Sequence, residues 1–144
     1  LLRSGFHTLR LGLETADDDT GPSGDQQVDP KTSYREFAQA AAYLREAGFA
    51  KQQLGAYLLV GLPGQSLKDV RRAISAVHRQ GVTPIPAYYS PIPHTALWSR
   101  AVAVSRYDLA ADPIFSNNAV FPCWDDGFSW KTLEQIRGWV RGTP

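Results

Sequence analysis

Tyr57-Leu58-Leu59-Val60-Gly61-Leu62-Pro63-Gly64-Gln65 is an apolar run that stops abruptly in a Gly-Leu-Pro-Gly turn. An apolar run bounded by turn residues is the pattern of a strand buried in a parallel sheet. The glycines permit a tight turn before a following helix. Two further segments share this plan: Thr8 to Leu13 runs into Glu14, and Val82 to Tyr89 runs into Ser90-Pro91-Ile92-Pro93. In α/β sheets, ligands sit at the carboxyl ends of the strands. Three strand ends that finish in polar or glycine-rich loops therefore predict one shared site.

The segments between the strands carry helical periodicity. Thr32 or Ser33 can cap a helix, with Glu36 placed three residues after Ser33 as in a capping box. Phe37, Ala41 and Leu44 then share a face, and Gly48 marks the stop. After a strand from Gln52 to Val60, Ser66 caps a second helix with Asp69 three positions on. Its stripe is Val70, Ala73, Ile74 and Val77, and Gly81 ends it. Strand, helix, strand, helix, strand is the order of crossover connections and a parallel sheet. Beyond Thr95 the pattern changes. Ala96 to Val104 reads as a short helix, Asp108 to Asp112 as a turn or short helix, and Ser116 to Gly127 as an aromatic-rich loop. Ser129 caps a last amphipathic helix, with Leu133, Ile136 and Val140 facing inward. Glu14 to Thr32 has no periodicity and many breakers, Asp17-Asp18-Asp19 and Gly21-Pro22-Ser23-Gly24 among them, and reads as a mobile loop. The acidic run lacks the alternating ligands and terminal Glu of a calcium loop and is a solvated charge run.

Bulk properties narrow the function classes. A chain of 144 residues holds one domain with a real core but is short for a complete α/β barrel. A net charge of +1, with no basic cluster longer than Arg71-Arg72, leaves no electrostatic footprint for nucleic acid. No apolar run is long enough to span a membrane, and Leu1 to Gly5 lacks the layout of a secretion signal. Cys123 is the single cysteine. It can form no disulfide within the chain, which favours a cytoplasmic location, and it cannot by itself hold an iron–sulfur cluster or a structural zinc. The absence of methionine, first position included, implies a processed or excised chain.

Three motifs carry a resemblance. Arg10-Leu11-Gly12-Leu13-Glu14-Thr15, then Leu59-Val60-Gly61-Leu62-Pro63-Gly64-Gln65, then Tyr89-Ser90-Pro91-Ile92-Pro93-His94-Thr95 resemble the fourth, fifth and sixth strands of radical S-adenosylmethionine enzymes. Asp112-Pro113-Ile114-Phe115-Ser116-Asn117-Asn118 is similar to a downstream element of members that also carry a cobalamin-binding domain. The resemblance spans residues 5 to 122. It implies an α/β fold that is half of a (β/α)6 partial barrel, residues 1–104, followed by a carboxy-terminal extension, residues 105–144. In the family a cysteine triplet in the first half of the barrel holds a 4Fe-4S cluster, which reductively cleaves S-adenosylmethionine to a 5′-deoxyadenosyl radical. That triplet and the glycine-rich strand that meets the methionine amine are absent here. The resemblance therefore implies the nucleoside-facing half of the site, inactive alone. Its parent would use S-adenosylmethionine, the 4Fe-4S cluster and, in the cobalamin type, cobalamin, none of them held by this chain alone.

Residue by residue, the resemblance assigns cofactor-binding roles to Glu14, Leu59, Gly61, Tyr88 and Tyr89. Glu14 matches a polar position that meets the ribose hydroxyls, and a carboxylate can accept two hydrogen bonds from a vicinal diol. Leu59 and Gly61 match positions flanking adenine, and Gly61 also serves the turn itself. Tyr88 and Tyr89 alternate faces, so at most one of them points into the barrel. Tyr57 stands where some relatives have an acidic ribose contact, and His94 where a glycine is common. His94 as a proton donor, or Cys123 as a catalytic thiol, competes with an ordinary loop histidine and an inert buried thiol. Phe121, Trp124, Phe128 and Trp130 read as an aromatic cap. The implied partners are the missing amino-terminal half of the barrel, an unknown substrate, and a second copy meeting the exposed sheet edge. A standalone non-catalytic binding module is the alternative. A barrel hydrolase using Glu14 would need a second acid, which no other strand end offers.

Overall fold

The computed structural model describes residues 1–13, 33–124 and 129–142. The elements are β1 (Leu9–Leu13), α1 (Tyr34–Glu46), β2 (Leu54–Val60), α2 (Leu67–Arg79), β3 (Thr83–Tyr88), α3 (Trp98–Val104) and α4 (Trp130–Arg141). The strands form one parallel sheet in the order β1-β2-β3. Leu54 of β2 lies opposite Leu9 of β1, and Tyr57 opposite both Gly12 and Ile85. The chain is thus a mixed α/β fold with a three-stranded parallel sheet, and its strands start one or two residues later than the apolar runs suggest. A 3-10 turn, Lys51–Gln53, occupies the lead-in to β2.

Both crossover helices start on reciprocal caps. The Ser33 hydroxyl accepts from the Glu36 amide at 3.2 Å while the Ser33 amide donates to the Glu36 carboxylate at 2.9 Å. Ser66 and Asp69 repeat the arrangement at 3.2 and 3.0 Å. Each pair satisfies two amides that a helix start leaves open. Both helices end at a left-handed glycine, Gly48 (φ 98°) and Gly81 (φ 68°). The next residues, Phe49 and Val82, are buried and donate back to Leu44 and Val77, the hydrophobic C-terminal cap that stops a helix sharply. Ser129 precedes α4 without a side-chain cap hydrogen bond.

The stripes of three helices bury against one face of the sheet. Phe37 and Ala41 of α1, Val70, Ile74 and Val77 of α2, and Leu133 and Ile136 of α4 share a core with Leu13, Leu54, Ala56, Leu58 and Val60. Helix α4, from the carboxy-terminal region, therefore packs into the same core as the strands. Alternation along the strands sends Arg10, Gly12, Gly55, Tyr57, Leu59, Ile85 and Ala87 to the opposite face. On that face Tyr57 is 49% exposed. Over Gly55 the side chains of Ile85 and Arg10 converge, filling the space a Cβ would need.

The two outer strands differ. Tyr89 donates its amide to the Val60 carbonyl at 2.9 Å. In a parallel ladder each residue sends its N–H and C=O to one side and its neighbours send theirs to the other. Pro84, Pro86 and Tyr88 consequently turn toward the free edge. The two prolines have no N–H to offer there, and the Tyr88 carbonyl accepts from the Asn118 side chain at 3.3 Å. The edge of β3 thus lacks two ladder donors and has one acceptor occupied.

Candidate functional site at the strand ends

The β2–α2 turn is built around one side chain. Gly61 (φ 89°) and Gly64 (φ 77°) take left-handed conformations that side chains disfavour. The Gln65 carboxamide folds back into the turn. Its oxygen accepts from the amides of Gly61 at 2.8 Å and Leu62 at 3.4 Å, and its nitrogen donates to the Leu59 carbonyl at 3.0 Å. The Gly61 and Leu62 amides, which could otherwise cradle an anion, are thereby occupied. The turn is a rigid support and not a phosphate loop.

A hollow of about 660 Å³ opens beside this support, with Leu59, Tyr88, Tyr89 and Ser90 on one side and Ile92, Thr95, Ala96 and Leu97 on the other. Its volume falls within the usual range of small-molecule sites. The wall is mostly apolar. The loop that closes it is held by Thr95, whose hydroxyl donates to the Ile92 carbonyl at 2.7 Å. His94 adopts a positive φ of 65°, a conformation more readily occupied by glycine. His94 is exposed and is not among the residues lining the hollow.

Tyr88 and Tyr89 turn to opposite faces. The Tyr88 ring meets Phe121 edge-on at 5.1 Å, and Phe121 meets Trp124 in the same manner at 5.7 Å. Burial raises the Tyr88 hydroxyl pKa, partly offset by Arg137. Tyr89 packs with Trp98, Tyr107 and Phe115 on a second small core of Ala101, Leu109 and Cys123. Its hydroxyl is buried without a hydrogen-bond partner among the described residues, and burial, with Cys123 adding to the effect, pushes its pKa up to about 12. Burial likewise pushes the Cys123 thiol up to about 11. It is a protonated, weakly nucleophilic thiol at neutral pH.

The sequence-assigned residues are only partly assembled. Leu59, Tyr88 and Tyr89 border one hollow. Gly61 is buried and does not line it; a Cβ there would lie 3.7 Å from both Phe121 and Trp124. The ring space beside this glycine is filled by the chain's own aromatics. Glu14, the Asp17-Asp18-Asp19 run, Thr32 and Phe128 lie outside the described residues. Trp130 is 68% exposed; of the expected aromatic cap, the described residues show Phe121 packed edge-on against Trp124, with Tyr88 joining them on the other side of Phe121. The support role of Gln65 and the edge role of Asn118 escaped the reading of the sequence, although Gln65 lay inside the decisive motif.

The residues present do not fit a 4Fe-4S cluster, which needs several thiolates, because the lone Cys123 is buried in a side core. No group of three or more His, Cys, Asp or Glu side chains among the described residues is placed to hold a metal ion. Among the described residues no helix is long and apolar enough to cross a membrane. No protein-family model, no curated protein and no solved structure matches the chain.

Proposed function

We propose that the chain is the nucleoside-facing half of a radical S-adenosylmethionine enzyme's partial barrel, and that the hollow beside β2 and β3 receives the adenine ring. The observation that carries this reading is the placement of the hollow. It lies at the carboxyl ends of parallel strands whose crossover helices all pack on the other face. Leu59 would lie against the base, the tyrosines and the Ile92–Leu97 loop would exclude water, and the Gln65 clamp would keep the Leu59 backbone in place. In this reading the parent protein cleaves S-adenosylmethionine reductively to modify a substrate, and this chain contributes binding alone.

The test is anaerobic iron–sulfide reconstitution of the polypeptide encoded by the whole reading frame containing this chain. About four irons per chain are expected there, with 5′-deoxyadenosine released from S-adenosylmethionine, and none in the 144-residue chain alone. Leu59→Trp in the longer protein fills the hollow, and should weaken S-adenosylmethionine binding at least tenfold while iron content is unchanged. Failure of the longer protein to bind iron would remove the radical chemistry. Adenosine binding retained without iron would instead support the non-catalytic module.

A further inference from the structure

Helices α2 and α4 form one basic surface that the sequence divides between distant segments. They hold seven of the 15 Lys and Arg residues against two acids, Asp69 and Glu134, although the net charge of the whole chain is only +1. The fold joins the two helices. His78 Nε2 donates to the Trp139 carbonyl at 3.0 Å, and the Arg71 guanidinium lies 5.6 Å from the centre of the Trp139 ring. On α2, Lys68, Arg72, Ser75 and Arg79 recur at intervals of four, three and four residues, and all are exposed. They make a single line of roughly 16 Å along the outer side of the helix. Asp69 does little to offset this line, because its carboxylate is engaged by the Ser66 cap and by Arg72. The three cations of α4 are exposed as well. Helix α4 packs on α2 and β3, at the other end of the strand order from β1.

We propose that this surface binds single-stranded nucleic acid through its phosphate backbone, independently of the hollow at the strand ends. Composition and packing select this class of polyanion. Five of the seven cations are arginine, whose planar fork grips phosphate oxygens in pairs. The apolar stripes of both helices, Val70, Ile74 and Val77 with Leu133 and Ile136, are buried in the core, so the surface has no apolar row to insert into a lipid bilayer. The same burial keeps either helix from projecting into the major groove of a duplex. A flexible single strand can lie across both. Trp130, 68% exposed, sets an aromatic ring beside Lys131, and cations next to aromatic rings are the combination on which unpaired bases stack. An acidic polypeptide would answer the charges but make no use of that ring.

Fluorescence anisotropy of a labelled oligothymidine of about 12 nucleotides, titrated with the 144-residue chain, is the test. Affinity should fall linearly with salt on logarithmic axes. Lys68→Gln combined with Arg79→Gln removes two phosphate contacts, and should lower affinity at least tenfold and flatten the salt slope by about 1.4. Both side chains are exposed, so the far-ultraviolet spectrum should not change. Arg35→Gln combined with Lys51→Gln removes the same charge away from α2 and α4, and should leave affinity within about twofold of the wild type. Trp130→Ala should weaken binding about tenfold. Absence of binding at low salt overturns the proposal, as do equal losses from the two double variants or indifference to Trp130→Ala. Polyglutamate that displaces the label as well as unlabelled oligothymidine does also overturns it, and assigns the surface to an acidic protein.

Discussion

Gln65 shows how one side chain can hold a strand end in place. Its amide satisfies the Gly61 and Leu62 donors and the Leu59 acceptor in a partly buried turn, where unpaired groups are costly. Gln65→Ala should lower stability by about 2 kcal/mol, read as a lower urea midpoint at constant slope. The same region marks a boundary of what the sequence discloses. A positive φ at Gly61 could be read from Gly-Leu-Pro-Gly, because few residues tolerate that turn. That Phe121 and Trp124 fill the space above it could not, because the contact joins distant segments and no local pattern encodes it. Phe121 itself takes a left-handed φ of 50°, unusual for a bulky residue, where it ends the 3-10 turn Asn118–Val120 and packs between Tyr88 and Trp124.

The secondary-structure elements were the most legible level. Ser33 with Glu36, and Ser66 with Asp69, announced two helix starts because capping depends on residues three apart. Gly48 and Gly81 announced the ends for a similarly local reason. β3 was legible as a strand, but its register against the edge was not. Prolines at 84 and 86 argue against a central strand, and only the ladder shows that their missing donors face away from β2. Ser66→Ala should cost about 1 kcal/mol. Part of that cost depends on pH. Burial of Asp69 works to raise its pKa, but the hydrogen bonds from Ser66, then Arg72 and Lys68, outweigh it, and the pKa lies below its ordinary value of 3.8. Asp69 therefore contributes stability that is fully present above that value and is lost as pH falls through its lowered pKa. Urea midpoints of the wild type and of Ser66→Ala should converge as pH drops below about 4.

At the scale of the whole molecule, three parallel strands carry helices on one face, and among the described residues no helix packs on the other. Parallel sheets are ordinarily covered on both sides. Composition and periodicity anticipated the sheet, since apolar runs and amphipathic stripes are encoded locally. They placed Tyr88 and Tyr89 on different faces, because a strand alternates. The small second core around Cys123 was not anticipated: Ala101, Leu109 and Cys123 come from segments with little periodicity, brought together by Tyr89. This core gives the chain an internal reporter. A maleimide added at neutral pH should label Cys123 far more slowly in the native state than in urea. If the β3–α3 corner breathes independently of the main core, labelling will respond to low denaturant before the far-ultraviolet signal does. Coincident transitions would instead identify both cores as one cooperative unit. A solitary sulfhydryl with nothing to pair with thus becomes a clock for the opening of the corner that hosts the hollow, without a single engineered residue.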